Sequence, residues 1–378
     1  MSKKRVLVFY DHFYPAFKAG GPVQSIVNLV RNLHEQYEFG IVCKPHELND
    51  HTTLSGIPIN QWVNWEEMAQ VYYWSYSWSS RAELKQVIKE FHPDIVFING
   101  MYSPFFNVLP LIYSLQLKLK VVLSARGMLH EGALAQKGFK KKLFFSVFKF
   151  FKTEQKLTWH ATDQKEAHII QSYFGSECKI AVAGNYPNKV VAADPPAKQE
   201  GSLILGTIAL ISPMKNHAAV MEVLKSATGK ITWHVFGPAK DEAYWTKCKA
   251  QIKSLPENIS VVEHGEVNPI QIPEALSAIQ VFILPSESEN FGHAIVEALS
   301  AGRPVITTDT TPFKHLQEAG AGYTIHYNQL QEEMAAAVSF FTAMPAETYQ
   351  QYQQQAKTYI NNKLSTEELR QQYTNLFS

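Results

Sequence analysis

At 378 residues the chain exceeds one ordinary hydrophobic core and fits two domains. A hydrophobic content of 46% with 19 glycines and 19 prolines is that of a folded protein and excludes disorder. A net charge of +1 argues against bulk nucleic-acid binding, and Cys43, Cys178 and Cys248, far apart and in no metal-ligand spacing, fit a reduced, cytoplasmic compartment.

The apolar run from Val6 to Tyr10 stops at Asp11, too short for a signal peptide, and predicts a first buried strand. No apolar run approaches the roughly 20 residues of a membrane-spanning helix. A loop carrying Gly20 and Gly21 follows, and then a helix opened by Pro22 with Val23, Ile26, Val27 and Val30 on one side. Glycines here let backbone approach a ligand closely, although a tight turn would use them too. Lys18 adds a charge beside them.

Phe39 to Lys44 predicts a second strand, after which regular patterning fails from Pro45 to about Ser80. Trp62, Trp65, Tyr72, Tyr73, Trp74, Tyr76 and Trp78 crowd into that interval. Aromatics at this density either stack on a sugar or, more commonly, pack a long excursion onto its own domain. Alternation of helix and strand then resumes. Arg126 closely follows the strand-like Val121 to Ser124, so it should project from a carboxyl end, with His130 and Glu131 close by as acceptor-side candidates. Lys137 to Lys156 is basic and aromatic together, and fits either an interfacial helix on an anionic membrane or a core helix with a lysine-rich entrance. Pro195 and Pro196 break all periodicity within a linker at 191–201.

The second half opens on strand-like Leu203 to Ser212, followed by Ser212 to Asn216 turning into a helix. Gly237 ends another strand, where a nucleotide could approach, and His264 and Gly265 lie in the loop after the next. Val281 to Leu284 is a short continuous apolar run bounded by Pro285, which predicts a buried strand of a parallel sheet. Ile295, Val296 and Leu299 share one helical face, and Gly302 followed by Pro304 supplies the stop. Phe291, Gly292 and His293 therefore sit at a helix N-terminus, where free N–H groups and the helix dipole suit a phosphate. Glu289 and Glu297 can face one crevice, beyond the carboxyl ends of the strands. A carboxylate accepts two hydroxyls at once, so Glu297 suits a ribose diol and Glu289 the hydroxyls of a sugar. A nucleotide sugar presents both. The ordinary alternative is that each glutamate lies on a solvated helix face.

Glu289, Phe291, Gly292 and Glu297, within ESENFGHAIVEALSAGRPVI, resemble the donor-site signature of the retaining glycosyltransferases of the GT-B fold, in the large family-four group, and Asn290 between them is a further donor-binding candidate. The resemblance extends weakly over nearly the whole chain. It implies an α/β GT-B fold: two Rossmann-like, doubly wound domains facing a central cleft. Residues 1–190 would form the acceptor-side domain, 202–342 the donor domain, and 343–378 terminal helices crossing back to the first. Relatives line the cleft with a glycine-rich first loop, which points to Gly20 and Gly21, and grip the donor diphosphate with an arginine and a lysine. Lys215 matches the lysine. Leu210 stands where the arginine would be, and Arg126, where relatives often have His, or Lys18 is expected to supply the missing charge.

What the resemblance implies is transfer of a sugar from a nucleoside diphosphate sugar to a glycan or lipid-linked acceptor, with retention, in surface polysaccharide synthesis. No metal or other cofactor is expected, and peripheral contact with the inner face of a membrane would suit a lipid-linked acceptor. A nucleotide-sugar epimerase of the same architecture is the rival enzyme class. A sugar-binding protein would need export, for which the chain shows no signal peptide.

Overall fold

The computed structural model describes residues 3–129, 148–149 and 152–378, which divide into two compact units. The first comprises 1–186 with 366–378, and the second 187–365.

The first unit is built on β1 (Lys4–Phe9), β2 (Tyr37–Cys43), β3 (Trp62–Trp65), β4 (Ala69–Tyr73), β5 (Ile95–Asn99), β6 (Lys120–Ser124), β7 (Thr158–Ala161) and β8 (Lys179–Val182). These lie side by side in the order β3-β4-β2-β1-β5-β6-β7-β8. Every pairing is parallel except β3 with β4. The sheet carries helices on both faces: α1 (Gly21–Leu33) and the terminal helix cover one core, and α2 (Arg81–Phe91), α3 (Leu109–Gln116) and α4 (Gln164–Phe174) the other. Continuous apolar strands such as Ile95–Asn99 are what burial on both faces requires. Chain order reverses between neighbouring β1 and β5, because β2 to β4 lie on one side of β1 and β5 to β8 on the other. Loops that leave those two strands flank a crevice at their carboxyl ends.

The interval Pro45 to Ser80, expected to lack regular structure, contains the hairpin β3–β4, whose second strand extends the sheet beside β2. Its turn uses Glu66 and Glu67 at φ 50° and 58°. Asn and Gly are the ordinary residues for that backbone, so the usual hairpin signal is missing. The aromatics sort accordingly. Trp62 packs on Phe91, Trp65 on Phe13, and Trp74 is wholly buried, whereas Trp78 remains 59% exposed.

The second unit repeats the plan on a smaller scale. Its strands are β9 (Ser202–Ile208), β10 (Lys230–Phe236), β11 (Ile259–Gly265), β12 (Val281–Leu284), β13 (Val305–Thr308) and β14 (Gly322–Ile325), all parallel, in the order β11-β10-β9-β12-β13-β14. One face carries α5 (His217–Leu224), α6 (Glu242–Ile252) and α9 (Leu330–Ala343). The other carries α7 (Ile272–Ser277), α8 (His293–Ser300) and α10 (Ala346–Lys363). Here the order reverses between β9 and β12.

Residues 191–201, expected as a linker, make hydrogen bonds within this unit. Buried Arg303 donates to Ala193 O at 2.5 Å, Gln280 to Pro196 O at 3.1 Å, and Lys198 to Thr342 O at 3.1 Å. The last helix, α11 (Thr366–Phe377), belongs to the first unit, where Tyr373, Leu376 and Phe377 enter the core and Gln372 accepts from Gly184 N at 2.9 Å. Among the described residues no helix is long and apolar enough to cross a membrane.

Candidate active site

The loops leaving β9 and β12 flank the point at which strand order reverses in the second unit. They are locked to each other: Glu287 N donates to Met214 O at 2.9 Å, and the Asn216 amide donates to Pro285 O at 2.8 Å. That register brings Lys215 from the first loop onto Glu289 from the second, Nζ to Oε1, in an ion pair whose side chains are only 15% and 13% exposed. Ser286 Oγ donates to the same Glu289 oxygen at 2.8 Å. Ser286 is itself fixed, since its carbonyl accepts from Thr308 at 2.5 Å and Thr310 at 2.9 Å. The Lys215 and Ser286 contacts both fall on Glu289 Oε1.

Helix α8 begins directly beyond. Gly292 caps it at φ 75° and ψ 55°, and no side chain takes the cap hydrogen bonds. A Cβ at Gly292 would stand 3.0 Å from the Phe313 ring, so the left-handed turn and the ring's closeness both call for glycine. Phe291 lies against His293 at 4.7 Å between centroids. One turn into the helix, Glu297 is 4% exposed and accepts a 2.9 Å hydrogen bond from Asn188. Burial raises its pKa from 4.5 to about 7, and the Asn188 contact partly offsets this. Sequence reasoning missed Asn188: its place beside α8 depends on Val190 N reaching Ser300 Oγ at 3.0 Å, a tertiary contact without local signature.

Gly237 has a packing reason for being glycine, beside the ligand approach expected of it. A Cβ there would fall 1.9 Å from Ala209 O, so it permits the close packing of the β9 and β10 exits. His264 stacks on Phe236 at 4.1 Å and faces His234 Nδ1 through its Nε2 at 2.8 Å. Among the described residues no group of three or more His, Cys, Asp or Glu could hold a metal ion.

In the first unit, Gly20 caps α1 at φ 70°. The loop before it hangs on buried Glu47, whose carboxylate accepts from the backbone of Phe17 at 2.9 Å, Lys18 at 3.0 Å and Leu48 at 2.8 Å. The Arg126 guanidinium is engaged by Asn99 Oδ1 at 2.5 Å and by Asn185 Oδ1. Two of its donors are therefore spent on its own unit. His130, Glu131 and most of the basic, aromatic stretch 137–156 lie outside the described residues. Phe148, from that stretch, packs on Trp159 and Phe174 in the core.

A family model described as glycosyl transferases group 1 matches residues 192–359, and one described as glycosyltransferase family 4 matches residues 19–185. Similar solved structures include HepE of Anabaena in complex with UDP and glucose, 15% identical over 98% of each chain with a TM-score of 0.67. Sucrose-phosphate synthase of Thermosynechococcus elongatus is 13% identical over 99% of this chain and 98% of its own, with a TM-score of 0.71. TarM of S. aureus, in complex with fondaparinux, alpha-GlcNAc-glycerol and UDP, is 12% identical over 99% and 100%, with a TM-score of 0.68. At such identities the likeness is one of fold. No curated protein sequence matches.

Proposed function

The chain belongs to the glycosyl transferases group 1, with the GT-B fold, and from that premise we propose that it transfers a sugar from a nucleoside diphosphate sugar to a glycan or lipid-linked acceptor with retention at the anomeric carbon. One observation carries this reading. Lys215, Glu289 and the uncapped start of α8 converge at the switch point of the second sheet, with Glu297 one turn further along the helix.

As the bond between the anomeric carbon and the phosphate oxygen breaks, negative charge builds on the leaving diphosphate. The Lys215 ammonium and the free N–H groups of α8 are placed to stabilise it. Glu289 Oε2 accepts a hydroxyl of the transferred sugar, and the Glu297 carboxylate accepts the ribose diol. The acceptor oxygen attacks on the face the diphosphate leaves, through an oxocarbenium-like state, and its proton passes to the departing phosphate oxygen. No metal is needed in this scheme, since lysine and helix supply the positive charge. Synthesis of a surface polysaccharide, at the cytoplasmic face of a membrane, is the setting we propose.

Incubation with UDP-glucose and other nucleoside diphosphate sugars, with and without glycan acceptors and with EDTA, tests the reading. Diphosphate release stimulated by acceptor and unchanged by EDTA is the expected result. Conversion of donor to an isomeric sugar nucleotide without acceptor would instead identify an epimerase.

A further inference from the structure

Helix α10 buries Ala356 and Ile360 in the second unit and turns Gln355, Thr358 and Asn362 to solvent. Those three recur with Tyr359 and Lys363 at intervals of three and four, so all five share one face of the helix. The loop from Lys314 to Gly320, which leads into β14, is clipped alongside that face at two points. The Tyr359 hydroxyl donates to Lys314 O at 2.9 Å. Gly320, at φ 62°, comes so close that a Cβ there would stand 3.4 Å from Gln355 Cγ. Helix and loop thereby bound an open groove of about 630 Å³, with Glu318, Ala319 and Gly320 on the loop side. Its walls are not the loops that carry Lys215, Glu289 and Gly292.

The groove mixes donors and acceptors along its length. The Gln355 and Asn362 amides and the Thr358 hydroxyl can each do both, the Glu318 carboxylate accepts, and the Lys363 ammonium donates. From Gln355 to Lys363 the helix rises about 12 Å, long enough for a short oligosaccharide. The half-buried Tyr359 ring, fixed by its hydroxyl, adds an apolar wall, with the Lys363 ammonium 6.0 Å from its centre. Sugar hydroxyls also donate and accept, so a run of them satisfies such a mixed lining, and the C–H face of a pyranose packs on an aromatic ring. An inorganic anion would instead meet the Glu318 carboxylate, and an apolar ligand would strand the amides.

We propose that this groove is a carbohydrate-binding site separate from the donor site, in which Gln355, Thr358 and Asn362 bind the hydroxyls of a short oligosaccharide while Tyr359 packs on one ring face. The site goes beyond the transfer reading, and binding to it needs no donor.

Saturation-transfer NMR titrations of the full chain with cellotriose, maltotriose and chitotriose, with UDP and inorganic pyrophosphate as competitors, provide the experiment. At least one trisaccharide is expected to bind saturably and to stay bound when either competitor is added. Combining Gln355→Ala with Asn362→Ala should weaken it roughly ten-fold and leave UDP affinity unchanged. Both side chains are exposed, so their replacement leaves the core intact. The proposal is overturned if none of the three trisaccharides binds saturably, or if the double variant binds as the wild type does. Displacement of the trisaccharide by UDP would overturn it by placing the sugar in the donor site, and displacement by pyrophosphate by making the groove an anion site. Failure of UDP to bind the wild type would count against the donor site alone.

Discussion

Asn188 donates its side-chain amide to Glu297 Oε1 at 2.9 Å, and among the described residues this is the one protein hydrogen bond on the buried Glu297 carboxylate. A single neutral donor does not restore what burial removes, and the pKa stands near 7 instead of 4.5. Between those values the folded protein holds a proton that the unfolded chain has lost. Stability therefore falls as pH rises from about 4.5 to about 7, and is level above. The full difference is about 3 kcal/mol. Glu297→Gln should remove this loss, raising the melting temperature at pH 8 but not at pH 4, as calorimetry would show.

The same residue makes ligand binding depend on pH in the opposite direction. If the ribose diol donates to the anionic carboxylate, nucleotide binding releases a proton. Affinity for a nucleoside diphosphate should then rise about ten-fold from pH 6 to pH 8. Glu297→Gln should bind weakly and with no such slope. Titration calorimetry in buffers of different ionisation enthalpy measures both the affinity and the proton released.

Glu47 accepts three backbone N–H bonds and is 6% exposed, so Glu47→Ala would strand the N–H groups of Phe17, Lys18 and Leu48. The expected loss is about 2–4 kcal/mol by denaturant unfolding. A variant as stable as the wild type would show that water replaces the carboxylate.

Three glycines at positive φ should behave differently when changed to alanine. Gly20 has open space around its missing Cβ, so Gly20→Ala is charged only with backbone strain of about 1 kcal/mol. Gly292→Ala adds a 3.0 Å approach to the Phe313 ring and should cost about 2 kcal/mol, with impaired nucleotide binding. Gly237→Ala would drive a Cβ to 1.9 Å from a carbonyl oxygen and should prevent soluble expression. Thermal melts of the first two, and the soluble yield of the third, check the order.

How far the sequence reveals this arrangement depends on the range of the interactions involved. Val281 to Leu284 and the start of α8 are legible because a short apolar run, a proline and a left-handed glycine act within a few residues of one another. Leu369, Tyr373 and Leu376 likewise show helical spacing, and they are buried. The β3–β4 hairpin is not legible, since Glu66 and Glu67 adopt a backbone normally marked by Asn and Gly. Asn188 beside Glu297, and the Asn99 and Asn185 partners of Arg126, join residues tens of positions apart, so only the folded chain reveals them. The family resemblance points to Lys215 and Glu289 without showing that they pair with each other.

That pair is where the account is most exposed to test. Lys215→Ala removes the ammonium and leaves the largely buried Glu289 with Ser286 as its remaining partner, a change that should cost about 2 kcal/mol in diphosphate binding. UDP, GDP and ADP titrated calorimetrically into the wild type and Lys215→Ala give the direct measurement. At least one of the three should bind the wild type and lose roughly thirty-fold in the variant. Equal affinity in the two proteins would contradict a diphosphate held between Lys215 and the start of α8.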